Sequence, residues 1–549
     1  MIQDVKNIFR SFYPKERRLF FTALGILILS GFFAIGGFIT QTTIITPAEG
    51  GEYTEAIVGQ PVTINPILSS GNNADEDLTT VLFADLQTLA KSFATSSDGS
   101  VWSVILKENI KWSDGQPITT DDIIYTITTI QDITSGSPLS NQWKGIIAER
   151  RSEREVVFTL KSGYSFFDET LYRLRISPKH IFGIIPAANL RLSNYNLEPI
   201  GSGPYKFVSF QKEKSGFISQ YNLAINPHFP GTQALIPKIT FRFFPNYSDA
   251  VISFNQKEVD GLGGLDSSSA SEIKIAHTSY NLPINQYYAI FFNETVNPLL
   301  QDSTLRRALN LATNKELILS QSLGKNGRVT QGPLPEYSTS YHRNLLSGSS
   351  FSLAQAQSIL EEAGWLVSDE DGIRTKNDQK LIVEITVPDL PFLTAAATQI
   401  KSDWEDLNVL TLLNIVPASI ISDQHIASRS YQVLLFGNLS RGSEDIYSFW
   451  HSSERFHPGK NLSLYDNNLV GLLLEQNQKT FDQSLKTQNL LTVQEYIFED
   501  TPAIFLFSPD YLYISSKTLG GFSDQAITKG MERLNSISQW FLKTDRVLK

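Results

Sequence analysis

The chain contains no cysteine among its 549 residues. Disulfide frameworks, thiolate metal sites, cysteine nucleophiles and a lipid-modified N-terminal cysteine are therefore excluded. Histidine is scarce, at 7 residues, and no two lie four apart on a common helix face. His451 and His457 form the nearest pair and could share a metal only from a loop. No Gly-x-Ser-x-Gly elbow, His-Glu-x-x-His helix, Gly-x-x-x-x-Gly-Lys-Ser/Thr loop or Gly-x-Gly-x-x-Gly fingerprint occurs. The chain is therefore expected to be neither an enzyme nor a cofactor carrier. An excess of positive charge is missing too: 46 Lys and Arg face 56 Asp and Glu, for a net charge of −10. That balance, without basic runs, excludes nucleic acid as the expected partner. What the chain does have is a globular composition, 41% hydrophobic and 11% aromatic, which excludes a disordered or low-complexity protein.

One segment departs from that pattern. Residues 19–39 (LFFTALGILILSGFFAIGGFI) carry no charge and are long enough to cross a bilayer as a helix. Lys6, Arg10, Lys15, Arg17 and Arg18 precede it against only Asp4 and Glu16, so residues 1–18 carry +3 and the remainder −13. The positive-inside rule then predicts a cytoplasmic N-terminus, a single-pass membrane helix and an extracytoplasmic remainder. The rival reading is a cleaved signal peptide, with Ala34-Ile35-Gly36 as the small-residue site, but an apolar core of that kind runs to only about 7–15 residues.

Residues 40–52 lack apolar periodicity and are expected to form a tether; the 11 residues from Gln41 to Gly51 reach at most ~40 Å when fully extended. Short β runs at residues 102–106, 156–160, 239–244 and 381–387 then alternate with amphipathic helical stretches, without a fixed-period repeat. No Pro-, Gly- or Ser-rich linker interrupts residues 52–549, which predicts lobes that the chain enters and leaves rather than serial domains. Local signals are clear in two places. Asp114-Gly115 predicts a tight turn, and Thr119 with Asp122 predicts a capping box for the helix carrying Ile123, Ile124, Ile127 and Ile130. Ser352 with Gln355 starts a second helix that Gly364 ends. Gly201-Ser202-Gly203-Pro204-Tyr205 is glycine-rich, but Pro204 lacks an amide that a phosphate cradle would use, so a structural turn is expected.

Five stretches together resemble the extracytoplasmic solute-binding proteins of ABC importers, family 5, the peptide, dipeptide and nickel-binding type. Gln60 to Pro66 with Val81 to Leu86 is similar to the family's mature N-terminus, and Trp112 to Ile123 to its most specific motif. Gly201 to Tyr205 matches Gly-x-Gly-Pro-Tyr; Arg306, Ala308 and Leu309 match the Arg-x-Ala-Leu helix. Glu444 to Ser453, Asn461 to Tyr465 and Thr501 to Phe505 resemble the aspartate loop and closing strands, although Ile446 stands where the family usually has proline.

The resemblance implies a two-lobed α/β fold of the periplasmic-binding-protein type II, with the extra subdomain of the peptide-binding type, closing on ligand by hinge motion. Carried over by position, residues 53–68, 199–290 and 506–549 form lobe I, 69–198 the extra subdomain, and 291–505 lobe II. The implied function is capture of a peptide or similar solute outside the cell and delivery to an ABC permease. A ligand-sensing or scaffold protein of the same fold is the alternative. Within the site, Asp445 is the match for recognition of the peptide α-ammonium, with Glu444 its neighbour. The strand ending at Gly437, Asn438 and Leu439 is expected to pair with peptide backbone, and Tyr287, Tyr288 and Trp450 to wall the cleft.

Overall fold

The computed structural model describes residues 13–69, 71–346, 351–439 and 444–548. The uncharged run predicted to span 19–39 is part of one longer helix, Pro14–Thr42. At about 1.5 Å per residue it exceeds the ~30 Å hydrocarbon core of a bilayer. Its apolar window buries nothing against the rest of the protein. The tether expected after it is not an extended linker. Thr43–Ala48 forms a strand that pairs antiparallel with Lys543–Leu548, in register from Thr43 opposite Leu548 to Ala48 opposite Lys543. The β-branched run Thr43-Ile44-Ile45-Thr46 favours that conformation, and Pro47 is tolerated because a two-stranded ribbon leaves one edge of each strand free.

Beyond the ribbon, two mixed sheets share one long strand. In lobe I the order runs Gly261–Gly263, Glu52–Val58, Lys238–Phe244, Ile218–Ile225, Tyr205–Lys212. In lobe II it runs Leu410–Val416, Ile382–Pro388, Val433–Leu439, Gln286–Phe292. The strand Ala503–Ser516 joins them. Its first half, Ala503 to Phe507, pairs with Gln286–Phe292, and its second half, Asp510 to Ser516, with His277–Pro283. The chain therefore changes sheet at Ile284–Asn285 and around Ser508–Pro509, so Gln286–Phe292 lies in the lobe II sheet. Ser508 Oγ donates to the Ile284 carbonyl at 3.0 Å and Arg328 reaches Asp510 at 2.7 Å across this junction.

The extra subdomain carries a four-stranded antiparallel sheet, ordered Ala90–Thr95, Val101–Leu106, Glu155–Thr159, Ile147–Arg150. Helix Thr120–Gln131 packs beside it and starts as expected: Asp122 Oδ2 accepts the Thr119 amide at 2.9 Å, completing the capping box. The same carboxylate's other oxygen accepts the Lys179 amide at 2.9 Å, tying a second segment to the helix start. Gly201 and Gly203 form a packing turn. A Cβ would sit 1.9 Å from the Leu82 carbonyl oxygen at Gly201 and 2.3 Å from that of Val81 at Gly203, so only glycine fits. One hydrophobic cluster runs from Tyr53 through Trp102, Trp112, Trp143 and Tyr205 to Trp540, spanning lobe I and the extra subdomain together. Lobe II has two clusters of its own, one on each face of its sheet. The packing thus makes lobe I and the extra subdomain one body and lobe II the other.

Candidate functional site

The second lobe presents a strand with one partly open edge. Val433–Leu439 pairs along its whole length with Gln286–Phe292, placing Gly437 opposite Tyr288, Asn438 opposite Tyr287 and Leu439 opposite Gln286. On its other edge it pairs with Ile382–Pro388 only at Val433 and Leu434. That ladder ends with Thr386 opposite Leu434, while Ile382–Pro388 goes on pairing with Leu410–Val416 as far as Pro388 opposite Val416. Among the described residues no strand covers this edge from Leu435 to Leu439. Gly437 has its own reason for lacking a side chain: a Cβ there would meet the Tyr288 ring at 2.7 Å. Asn438 is buried and donates from Nδ2 to the Tyr287 hydroxyl at 2.9 Å.

The aromatic residues expected to wall the cleft are anchored in the lobe. Trp450 is 1% exposed and lies edge-on to Tyr465 and against Phe505. Tyr287 packs edge-on against Phe505, and burial raises its hydroxyl pKa well above the ordinary range. Tyr288 is partly buried between Phe392 and Phe507. Tyr287 and Trp450 pack on one face of the lobe II sheet and Tyr288 on the other, as alternation along a strand requires.

Asp445 follows, at the point where lobe II meets the extra subdomain. Its Oδ1 accepts the Tyr447 amide at 3.0 Å, an Asx-type turn that starts the short helix Tyr447–Trp450. Its Oδ2 accepts the Tyr164 hydroxyl at 2.8 Å and the Gln478 amide at 3.3 Å. Tyr164 belongs to the extra subdomain, so the carboxylate bridges the two bodies. Burial, with Asp445 beside it, keeps the Tyr164 hydroxyl protonated as a donor. Three further contacts close the same seam: the Ser165 amide to the Gln478 carbonyl at 2.7 Å, the Ser165 hydroxyl to the Asn477 carbonyl at 2.9 Å, and the Lys486 ammonium 3.8 Å above the Phe166 ring. Glu444 is committed elsewhere, accepting from the hydroxyls of Ser338 and Ser340. Sequence reasoning reaches Asp445 but not Tyr164, Gln478 or Lys486, which lie in no motif and are brought in by packing alone.

A cavity of about 510 Å³ adjoins this seam on the lobe I side. Tyr164, Phe166 and Glu169 line it from the extra subdomain, and Thr528, Lys529, Glu532 and Asn535 from the C-terminal segment. His451, half of the nearest histidine pair, is 8% exposed, stacks on Tyr447 and faces Glu475 at 3.4 Å. Among the described residues no group of three or more His, Cys, Asp or Glu side chains is placed to hold a metal ion. The motif arginine Arg306 is a packing element: its guanidinium donates to the carbonyls of Leu300, Asp500 and Thr501.

Comparison with known proteins agrees with this architecture. The chain is 25% identical over 526 residues to the oligopeptide-binding protein AppA of Bacillus subtilis, covering 90% of this chain and 92% of that protein. It is 28% identical over 311 residues to the nickel-binding periplasmic protein of Escherichia coli, covering 54% and 56% respectively. Among solved structures, AppA from Bacillus subtilis in complex with a nonapeptide superposes with a TM-score of 0.67 at 23% identity, over 91% of this chain and 100% of that one. HbpA2 from Haemophilus parasuis superposes with a TM-score of 0.78 at 18% identity, over 90% and 100%. The model describing the middle region of the bacterial extracellular solute-binding proteins, family 5, matches residues 87–457. The chain belongs to that family of extracellular solute-binding proteins, with their two-lobed α/β fold.

Proposed function

We propose that this protein captures peptides outside the cell, is held to the membrane by helix Pro14–Thr42, and passes its ligand to an ABC permease. The observation that carries the peptide reading is the open edge from Leu435 to Leu439, followed in sequence by the Asp445 carboxylate. A peptide has two features independent of its side chains, a backbone of amides and a terminal ammonium. An unpaired strand edge suits the first by β-augmentation, and a carboxylate suits the second. AppA and the nickel-binding relative support solute binding in general, and the nonapeptide complex of AppA supports a peptide in particular.

Truncating one partner of a desolvated charge pair costs about 2–5 kcal/mol, so Asp445→Ala should weaken peptide binding at least about tenfold. The check is calorimetry on the full-length chain in detergent, with free and N-acetylated forms of one peptide. Equal affinity for the two forms in the unmodified protein removes the ammonium from the reading.

The anchor has its own measurement. Three basic residues, Lys15, Arg17 and Arg18, sit at the start of the helix against Glu16, which favours a cytoplasmic N-terminus. Membrane-fraction protein is expected to yield an intact N-terminal peptide. A soluble chain beginning beyond Ala34 would show instead that the helix is a cleaved signal.

A further inference from the structure

The cavity beside Asp445 holds several charged groups, and nearly all have partners. The Lys529 ammonium meets Glu76 at 2.6 Å, and Arg173 meets Glu532 at 2.9 Å. Asp85 accepts the Thr88 amide at 2.8 Å as a helix cap. Arg175 donates to the Phe83 carbonyl at 3.0 Å and to Asn535 at 3.3 Å. Glu169 differs: among the described residues its carboxylate has neither an ion pair nor a hydrogen-bond donor, although it lines the cavity. It stands in the helix Phe167–Tyr172, directly after Tyr164, Ser165 and Phe166, three residues that touch lobe II.

Position then determines which part of a ligand Glu169 would meet. In a peptide the α-carbon carries both the ammonium and the first side chain. With the ammonium at Asp445, whose carboxylate is bonded to Tyr164, the cavity that Tyr164 lines adjoins the first side chain. We infer that Glu169 is a second cation acceptor and selects peptides whose first residue has a basic side chain. This specificity rests on the peptide-binding reading above.

The surroundings of Glu169 give the preference a pH dependence. Asp168 and Arg173 flank it on its own segment, and Asp445 and Lys486 face it from lobe II; Glu444 lies beside Lys486, and Glu532 already holds Arg173. Burial foremost, with Asp168 and Asp445 adding to it against Arg173 and Lys486, moves the carboxyl up to about 7. A ligand lysine or arginine stays charged across this range, so attraction is present above that value and lost as pH falls through it.

The test compares Lys-Ala-Ala-Ala with its uncharged analogue norleucine-Ala-Ala-Ala, by calorimetry on the full-length chain in detergent. The unmodified protein is expected to favour the lysine peptide about tenfold or more near pH 8, and less than about threefold near pH 6. Glu169→Gln should lose the preference at both pH values while keeping its affinity for the norleucine peptide, which also shows that the variant folds. Equal binding of the two peptides near pH 8, or an undiminished preference in Glu169→Gln, overturns the inference and leaves peptide binding standing. Binding of neither peptide by the unmodified protein overturns the peptide reading, and this specificity with it.

Discussion

Replacing Arg533 by alanine is expected to lower the stability of lobe I by about 3–5 kcal/mol, the usual result of removing one member of a buried ion cluster. Arg533 is 4% exposed, in the turn Gly530–Leu534. Its Nη2 lies 2.8 Å from Glu55 Oε1 and 2.7 Å from Asp77 Oδ2, and its Nη1 is 2.9 Å from Asp77 Oδ1. Glu55 comes from strand Glu52–Val58 and Asp77 from helix Asn73–Leu82, so one guanidinium joins three separate segments. The rings of Tyr511 and Tyr513 cover it at 5.6 and 5.7 Å.

Without the cation, two carboxylates remain buried together. Burial already pushes both toward the protonated form. A carboxyl whose folded pKa is raised favours the native state at low pH and loses that advantage as pH rises, so the deficit of Arg533→Ala should be smaller near pH 5 than near pH 7.5. Urea denaturation followed by tryptophan fluorescence reads both values, and an unchanged midpoint would contradict the assignment. Adding Glu55→Gln and Asp77→Asn should restore much of the loss. Ligand affinity should fall as well, because the segment that Arg533 pins supplies Lys529, Glu532 and Asn535 to the cavity wall.

Lys315→Met is expected to do the reverse and stabilise the protein. Lys315 is 7% exposed at the start of helix Lys315–Ser322, where the helix dipole also disfavours a cation. Its ammonium donates to Gln331 Oε1 at 2.8 Å and, among the described residues, has no carboxylate within ion-pair distance; burial alone brings the amine from 10.5 to about 7. Through linkage that displacement corresponds to as much as about 5 kcal/mol of native-state cost whenever the group must be charged.

The sign follows from proton counting. Between about pH 7 and pH 10.5 the unfolded chain holds the proton and the native one does not. Native stability therefore rises across that window and is lowest below it. The gain from Lys315→Met should be largest near pH 6, at about 2–4 kcal/mol after the lost hydrogen bond, and should vanish near pH 10. Parallel stability–pH curves for the two proteins would show that the lysine is solvated and the assignment wrong.

Features that depend on near neighbours in sequence are legible in the chain alone. The amino-terminal helix follows from an uncharged run that suits no water-exposed surface. The Thr119–Asp122 capping box, the Ser352 cap and the positive φ of 85° at Gly364 follow from side chains acting within one turn of their own backbone. The glycines of the Gly201–Tyr205 turn and the aspartate loop carry motif signals that point to the family. These features depend on residues a few positions apart, where sequence order already determines geometry.

Tertiary structure alone decided the rest. The tether became a ribbon because its partner strand lies at the opposite end of the chain, and nothing in Thr43–Ala48 names Lys543–Leu548. Asp445 meets Tyr164 across 281 residues, and Arg533 meets Glu55 across 478. Glu169, in a short helix without a motif, is set apart only by packing, which pairs the charged groups Lys529, Glu76, Arg173 and Glu532 of the same cavity with one another. Such meetings are determined by how sheets stack and where the shared strand Ala503–Ser516 passes from one sheet to the other. Charges far apart in sequence carry no mark of whether packing will pair them, bury them or leave them facing a ligand.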